Sequence, residues 1–125
     1  MKTIIQTNEA PEPIGCYSQA VRAGNTVYLS GQIPLNPETG LVVEGDFRAQ
    51  VHQVFKNMQA VTKAAQGSLS DIVKLTIFLT DMSLFPVVNE IMANYFEKPY
   101  PARSSIGVAA LPKNVLVEIE GIMVV

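Results

Sequence analysis

The sequence contains few of the residues that carry most protein chemistry. Among its 125 residues there are one histidine, one cysteine and no tryptophan, and charged residues make up only 16%. A single cysteine excludes a disulfide within the chain and fits a reducing compartment, so we expect a cytoplasmic protein. One histidine and one cysteine supply neither a zinc ligand set nor a pair of histidines for acid–base catalysis, so we expect no metal.

The charge and the hydrophobic runs argue against two further classes of protein. The nine basic residues are not clustered and the formal net charge is -2, so the chain lacks the positive surface of a nucleic-acid-binding protein. No run approaches the roughly 20 apolar residues that span a bilayer, and the opening MKTIIQTNEAPEP lacks the pattern of a signal peptide. Hydrophobic residues still make up 48%. We therefore expect a large core or an apolar surface buried against other subunits.

The spacing of apolar residues predicts two helices and about six strands. Strands are predicted at residues 2–6, on either side of a turn at Gly24-Asn25, at 72–79, at 102–108 and at 115–125, with a small one at 41–43. Asp46 is predicted to cap the first helix, which runs to about residue 66 and ends at Gly67. Ser83 is predicted to cap the second helix, which runs to about residue 97.

This order of elements predicts an α+β fold that forms a single domain over residues 1–125. We expect one mostly antiparallel sheet of about six strands, with both helices on one face. The last predicted strand carries apolar residues on both of its faces, since the alternation of a strand puts Val117 and Ile119 on one face and Ile122 and Val124 on the other. We therefore expect the helix-free face to be buried by self-association, and a monomer in sedimentation would contradict this.

Arg103 is the only charged residue between Pro99 and Pro112, and it lies among small residues. A guanidinium with no charged neighbour in the sequence presents a preorganised fork for a carboxylate. Strands joined by a short turn usually pair antiparallel, so we expect the last two strands to form a hairpin that brings Glu118 towards Arg103. At this point an ion pair that stabilises the sheet remains an equal alternative to a ligand site.

Other residues with useful polar groups each have an ordinary structural explanation as well. Tyr17 lies in a loop beside a glycine and offers a hydroxyl, while Ser30-Gly31 ends a strand and offers a hydroxyl and a backbone N–H. Asn89 is typical of a solvated helix residue, and His52 of a surface or boundary one. Cys16 fits a packed or incidental thiol. The glycines of SGQIPLNPETG do not match a nucleotide-binding fingerprint, so no cofactor site is indicated.

Four stretches that together span most of the chain are similar to a known family. They are IGCYSQAV at 14–21, YLSGQIPLNPETG at 28–40, DIVKLTIFLTDMSLFPVVNEIMANYF at 71–96 and PARSSIGVAALPKNVLVEIE at 101–120. The sequence resembles in these places the YjgF/RidA family, the reactive-intermediate imine deaminases. The resemblance implies a chorismate-mutase-like fold assembled as a homotrimer, with ligand sites in the clefts between subunits.

The resemblance also implies a reaction and a set of site residues. The reaction is the cofactor-free hydrolysis of 2-imino acids, such as 2-iminobutanoate and 2-iminopropanoate, to 2-keto acids and ammonia. By resemblance, Arg103 would bind the substrate carboxylate, Glu118 would orient or deprotonate the attacking water, and Tyr17 would help to fix the imine. The remaining positions expected to line the substrate cleft are Ser30, Gly31, Asn89 and Ser105.

Two departures from the family pattern and two rival functions accompany this resemblance. Cys16 stands where many members carry proline, and Ser105 where many carry cysteine or threonine. We expect the cysteine to loosen the Tyr17 loop, and the serine to alter substrate preference rather than the reaction. A non-enzymatic binder of small carboxylates, or a chaperone-like protein, would use the same arginine. The family has also been labelled as endoribonuclease or translation inhibitor, which an acidic chain with one histidine supports poorly.

Overall fold

The strands of the protein form one six-stranded sheet. A computed structural model describes residues 1–125. The strands are β1 (Lys2–Ile5), β2 (Ala20–Ala23), β3 (Thr26–Gln32), β4 (Ile72–Leu79), β5 (Ala102–Gly107) and β6 (Val117–Val124). They lie in the order β1-β2-β3-β6-β4-β5, and all neighbours are antiparallel except the parallel pair β4 and β5. With the helices α1 (Phe47–Ala64) and α2 (Phe85–Met92), this confirms the predicted α+β class.

The core lies between the sheet and the two helices. Alternate residues of the central strands are buried towards the helices, including Leu75 and Ile77 of β4 and Ile119 of β6. The apolar side of α1 packs against them, with Val54 and Phe55 fully buried. Each such side chain contributes about 1.5–3 kcal/mol through its burial, so α1 is firmly attached to the middle of the sheet.

Helix α1 begins as predicted and ends in a slightly different way. The carboxylate of Asp46 accepts a hydrogen bond from the Ala49 N–H at 3.1 Å, which is the expected N-cap. At the other end Gln66, rather than Gly67, takes the left-handed conformation, with φ of 66°. Gly67 lies in a crowded place, because a Cβ there would lie 2.5 Å from the methyl group of Met123.

Helix α2 is shorter than predicted at both ends. Asp81, not Ser83, caps the segment, since its carboxylate accepts from the Ser83 N–H at 2.9 Å and the Ser83 hydroxyl at 2.7 Å. A short 3₁₀ turn at Met82–Leu84 leads into the helix, with Pro86 in its first turn. The helix ends at Met92, and the following residues form turns that still bury Phe96. Buried apolar residues therefore continue beyond the end of the helix, which is why the sequence predicted a longer one.

The predicted hairpin of the last two strands is wrong. Both β5 and β6 pair with β4, which lies between them, and β5 runs parallel to β4. The physical reason is burial. In β6, Val117, Ile119 and Met123 are fully buried, so this strand takes the central position between β3 and β4, while the small and polar residues of β5 suit the edge. The small strand predicted at 41–43 is reduced to a single bridge between Leu35 and Val42.

The helix-free face of the sheet carries exposed apolar side chains. The strand register places Ile4, Tyr28, Ile106 and Val124 on this face, and each is between 43% and 52% exposed. The predicted self-association through this face stays a prediction. No helix of the chain combines the length and the apolar character needed to cross a membrane.

Candidate functional site

Arg103 projects from the edge strand β5 towards helix α2. It lies opposite Leu75 of β4, on the face of the sheet that the helices cover. Its Nη1 donates a hydrogen bond to Oδ1 of Asn89 at 2.9 Å and lies 3.6 Å from the sulfur of Met92. Its Cζ also sits 4.8 Å from the centre of the Phe85 ring. These three contacts hold the guanidinium at one place on α2.

No carboxylate of the chain neutralises Arg103. The one ion pair within 4.0 Å joins Arg48 to Glu90 on the surface, at 3.2 Å. The Nε and Nη2 atoms of Arg103 have no hydrogen-bond partner, and this edge of a guanidinium is one that binds carboxylates through paired hydrogen bonds. A cavity of about 350 Å³ adjoins the side chain, lined by Asn89, Met92, Ala93, Tyr100, Pro101 and Arg103. The arrangement suits a small anionic ligand.

Glu118 forms a second cluster on the other face of the sheet. It lies opposite Phe78 on β4, and the alternation of β6 turns it away from the helices. Burial raises the pKa of its half-buried carboxyl, and the nearby Glu120 carboxylate raises it further. Gly31 packs directly against it, since a Cβ at Gly31 would lie 2.9 Å from Cδ of Glu118. A carboxyl with a raised pKa in such a setting is suited to proton transfer.

The loop that carries Tyr17 is attached to the end of β3 close to Gly31. The Ser30 hydroxyl donates to the Ser18 carbonyl at 2.5 Å, and the Ser30 N–H donates to the Gln19 carbonyl at 3.0 Å. Tyr17 is half exposed, and its hydroxyl accepts a hydrogen bond from the Ile14 N–H at 3.4 Å. The structure therefore brings Tyr17, Ser30 and Gly31 into one region, which the sequence had only suggested.

The two clusters do not meet within one chain. Arg103 and Glu118 lie three positions apart when projected onto β4, with β4 between their strands and their side chains on opposite faces. The expected approach of Glu118 to Arg103 is therefore wrong for a single chain, and so is the alternative of an ion pair between them. A site that uses both residues needs a second copy of the chain.

Ser105 belongs to the Arg103 cluster. It lies opposite Ile77, two residues along β5 and on the same face as Arg103. Its hydroxyl oxygen is buried without a hydrogen-bond partner, which is uncommon in folded proteins and is often associated with a role outside ordinary packing.

Two residues that contact Arg103 were not predicted from the sequence. Phe85 and Met92 lie at helical spacing from Asn89, which places all three on one side of α2, but apolar residues at this spacing are typical of core residues. His52 is a boundary residue as predicted, and its Nδ1 lies 2.8 Å from the Tyr95 hydroxyl, remote in sequence from either cluster. No group of three or more histidine, cysteine, aspartate or glutamate side chains is placed to hold a metal ion.

Comparisons of sequence and of structure both find similar proteins that match nearly the whole chain. Residues 7–125 match the family described as endoribonuclease L-PSP. A 2-iminobutanoate/2-iminopropanoate deaminase from Dermatophagoides farinae is 52% identical over 99% of this chain and 97% of its own length. The crystal structure of RidA from an Antarctic Psychrobacter is 51% identical, with a TM-score of 0.95 over 98% of this chain and 99% of that one. Escherichia coli TdcF with bound serine is 42% identical, with a TM-score of 0.93 over 98% of both chains.

Proposed function

This chain belongs to the endoribonuclease L-PSP family, which includes the RidA imine deaminases, and we propose that it works in a cleft where Arg103 of one copy faces Glu118 of another. The family membership confirms the resemblance read from the four sequence stretches. The function follows its full-length relatives. The protein is an imine deaminase that hydrolyses 2-imino acids, such as 2-iminobutanoate and 2-iminopropanoate, to 2-keto acids and ammonia.

The observation that carries the assignment of the site is the unneutralised guanidinium of Arg103. Its partners, the Asn89 amide oxygen, the Met92 sulfur and the Phe85 ring, are all neutral, so the full positive charge is available to a ligand. A 2-imino acid carries its carboxylate next to the reacting carbon. Binding that carboxylate through two parallel N–H···O bonds therefore also fixes the position of the C=N carbon.

Glu118 supplies the acid–base chemistry in this proposal. In its ionised form it takes a proton from a water molecule as the water oxygen adds to the C=N carbon. Addition of water to the protonated imine gives a carbinolamine, and Glu118 returns its proton to the nitrogen of this intermediate. The C–N bond then breaks as the hydroxyl group gives its proton to the Glu118 carboxylate, so ammonia and the keto acid form and the proton passes from Glu118 to solvent. Its raised pKa makes it a stronger base than an ordinary glutamate. A protonated imine is already electrophilic, so correct placement of the water accounts for much of the acceleration that the reaction needs.

The other site residues receive supporting roles. Tyr17, with Ser30 and Gly31, lines the Glu118 side of the cleft, and the tyrosine hydroxyl fixes the imine. On the Arg103 side, Asn89 and Ser105 line the cleft near the carboxylate. The Nδ2 of Asn89 has no hydrogen-bond partner in the chain and is free to donate to a substrate oxygen. The buried hydroxyl of Ser105 is likewise unpaired.

A homotrimer supplies the second copy that this cleft requires. Two features support self-association: the apolar helix-free face, and the placement of the two clusters on opposite faces of one sheet. Three copies that bury this face around a common axis would form three equivalent clefts. Sedimentation at micromolar concentration measures the assembly, and a persistent monomer would exclude the shared cleft. We place the protein in the cytoplasm on the basis of its single cysteine.

A second candidate function is the binding of small carboxylates without turnover. The similar TdcF structure holds serine, which carries a nitrogen and a carboxylate on the same carbon, as the proposed imino acids do. Such a binder would use the same Arg103, so only turnover distinguishes it from the deaminase. A ribonuclease would need to attract a polyanion, and the formal net charge of -2 disfavours this.

The deaminase is tested by the loss of an imine made in solution. Threonine and a dehydratase generate 2-iminobutanoate, and semicarbazide traps the imine that remains. We expect the protein to reduce trapping, Arg103→Ala to abolish the reduction, and Arg48→Ala to retain it because Arg48 is paired with Glu90 on the surface. If the same amount of imine is trapped with and without the unmodified protein, the deaminase activity is refuted. Binding of 2-oxobutanoate by that protein would then favour the function of a carboxylate binder.

A further inference from the structure

Helix α2 holds the guanidinium of Arg103 with three chemically different contacts. Asn89 accepts a hydrogen bond from Nη1 at 2.9 Å, the Met92 sulfur lies 3.6 Å from the same nitrogen, and the Phe85 ring lies beneath Cζ at 4.8 Å. The three residues are spaced by four and then three positions, so they lie on one side of the helix. We call Phe85, Asn89 and Met92 the arginine cradle.

The cradle is attached to the core and therefore has a defined position. Met92 is 5% exposed and Val88, one position before Asn89, is fully buried. Phe85 packs against the main hydrophobic cluster while its ring supports the guanidinium. An exposed arginine side chain otherwise has about 2 kcal/mol of rotamer entropy to lose when it binds a ligand. A side chain that is already held loses less of it.

The chemistry of the cradle fits a cation that must stay available. An aromatic face, an amide oxygen and a thioether all attract a guanidinium, but none carries a negative charge. A carboxylate at Asn89 or nearby would hold Arg103 more strongly and would compete with the substrate. All the contacts are also made by Nη1 or by the face of the group, which leaves the Nε and Nη2 edge open.

From this geometry we propose that Phe85, together with Asn89 and Met92, positions Arg103 for substrate binding by holding it without neutralising its charge. The inference rests on the proposed function, since it takes Arg103 to be the carboxylate ligand. Phe85 is then a positioning residue, which acts through Arg103 and does not touch the substrate. Phe85 therefore affects how tightly the carboxylate is bound, and this binding contributes equally in the ground state and in the transition state.

The test measures binding and turnover separately in a set of single variants. Binding of 2-oxobutanoate, a stable keto acid, is followed by calorimetry, and turnover by the semicarbazide assay. Phe85→Leu keeps apolar volume but removes the ring, so we expect a two- to fivefold weaker Kd and a similar rise in KM, with kcat changed less than twofold. Phe85→Tyr keeps the aromatic face and should restore both constants to within twofold of the unmodified protein.

Asn89→Asp tests the neutrality of the cradle with almost no change in shape, although it also removes the Nδ2 donor proposed for a substrate oxygen. An aspartate at this position pairs with Arg103 and repels the ligand, so we expect a Kd at least about fivefold weaker at pH 7. The affinity should recover as the pH falls and the new carboxyl group becomes protonated. An Asn89→Asp variant that binds as tightly as the unmodified protein at pH 7 would overturn the neutral cradle.

The same experiment separates failure of the cradle from failure of the proposed function. In the background of Arg103→Ala, Phe85→Leu should have no further effect on 2-oxobutanoate binding, because its only route of action is gone. If the unmodified protein binds and turns over but Phe85→Leu matches it, the cradle is wrong and the proposed function stands. If Phe85→Leu and Phe85→Tyr are equally impaired, the role of Phe85 is packing alone. If the unmodified protein neither binds the keto acid nor consumes imine, the proposed function fails and the cradle fails with it.

Discussion

Replacing Gly31 with alanine tests whether the position of Glu118 controls the reaction. Gly31 is not one of the glycines with positive φ, so alanine is compatible with the backbone there. The added Cβ would, however, lie 2.9 Å from Cδ and 3.2 Å from Cγ of Glu118. An ordinary contact between carbon atoms is about 3.5 Å. The carboxyl group therefore has to move away by at least about 0.5 Å, and its oxygens by more.

This displacement predicts a selective loss of catalysis. A misplacement of about 1 Å in a catalytic arrangement can cost about 100-fold in rate, so we expect the kcat of Gly31→Ala to fall about 10- to 100-fold. Binding of the carboxylate should change less than about threefold, because Arg103 lies in the other cluster. Glu118 is flexible and half-buried and can move aside, so the free energy of unfolding should fall by no more than about 1–2 kcal/mol.

The assay is imine hydrolysis followed by semicarbazide trapping, with urea unfolding in parallel. Gly67→Ala is the matched control, since its Cβ would also be crowded, at 2.5 Å from the Met123 methyl group and 2.7 Å from an Asp71 oxygen. It should lose stability and keep kcat, because it lies next to neither cluster. Control of the reaction by the position of Glu118 is contradicted if Gly31→Ala keeps the kcat of the unmodified protein, or if Gly67→Ala loses as much kcat as Gly31→Ala.

The remaining predictions concern Glu118 and the buried Asn57. Glu118→Gln should lower kcat about 10²- to 10⁴-fold with little change in KM, and an unchanged kcat would remove Glu118 from the mechanism. The rate should fall as the pH drops through the raised pKa of Glu118, and Glu120→Gln should move this fall to lower pH because one cause of the raised pKa is gone. Since the folded pKa lies above the unfolded one, the contribution of Glu118 to stability is present at low pH and is lost as the pH rises through the folded pKa. Urea titration should show this loss in the unmodified protein and not in Glu118→Gln. Asn57→Ala should cost about 1–3 kcal/mol in urea unfolding, because the Asn57 amide donates to the Ile33 and Leu35 carbonyls at 3.4 and 3.0 Å; a smaller loss would mean that solvent replaces these bonds.

Local patterns in the sequence were sufficient for most of the secondary structure. The apolar spacing of α1 and its Asp46 cap are properties of neighbouring residues, and both were predicted correctly. The start of α2 was misplaced because Ser83 and Asp81 are both good capping residues. Only the folded chain shows that Asp81 accepts both hydrogen bonds from Ser83. The local sequence therefore limits the capping residue to two candidates but does not identify which of them is used.

The candidate site was likewise predicted in part from the sequence. The isolation of Arg103 from other charges is visible in the sequence, and the full-length family resemblance identifies the residue types that accompany it. The support from Phe85 was not predicted, because an aromatic residue at helical spacing is usually part of the core. Only the position of α2 over the edge strand places its ring beneath the guanidinium.

Periodicity and residue chemistry were enough to predict most of the elements and the fold class, and to single out Arg103 as the proposed carboxylate ligand. These properties depend on periodicity and on residue chemistry, which neighbouring positions express directly. The tertiary structure alone decided the order of the strands, and with it the separation of Arg103 and Glu118 onto opposite faces of the sheet. Strand order depends on a competition among all strands for buried positions. The apolar β6 took the buried position between β3 and β4, so β4 separates it from β5, the strand with which a hairpin had been expected. No short stretch of sequence contains that comparison.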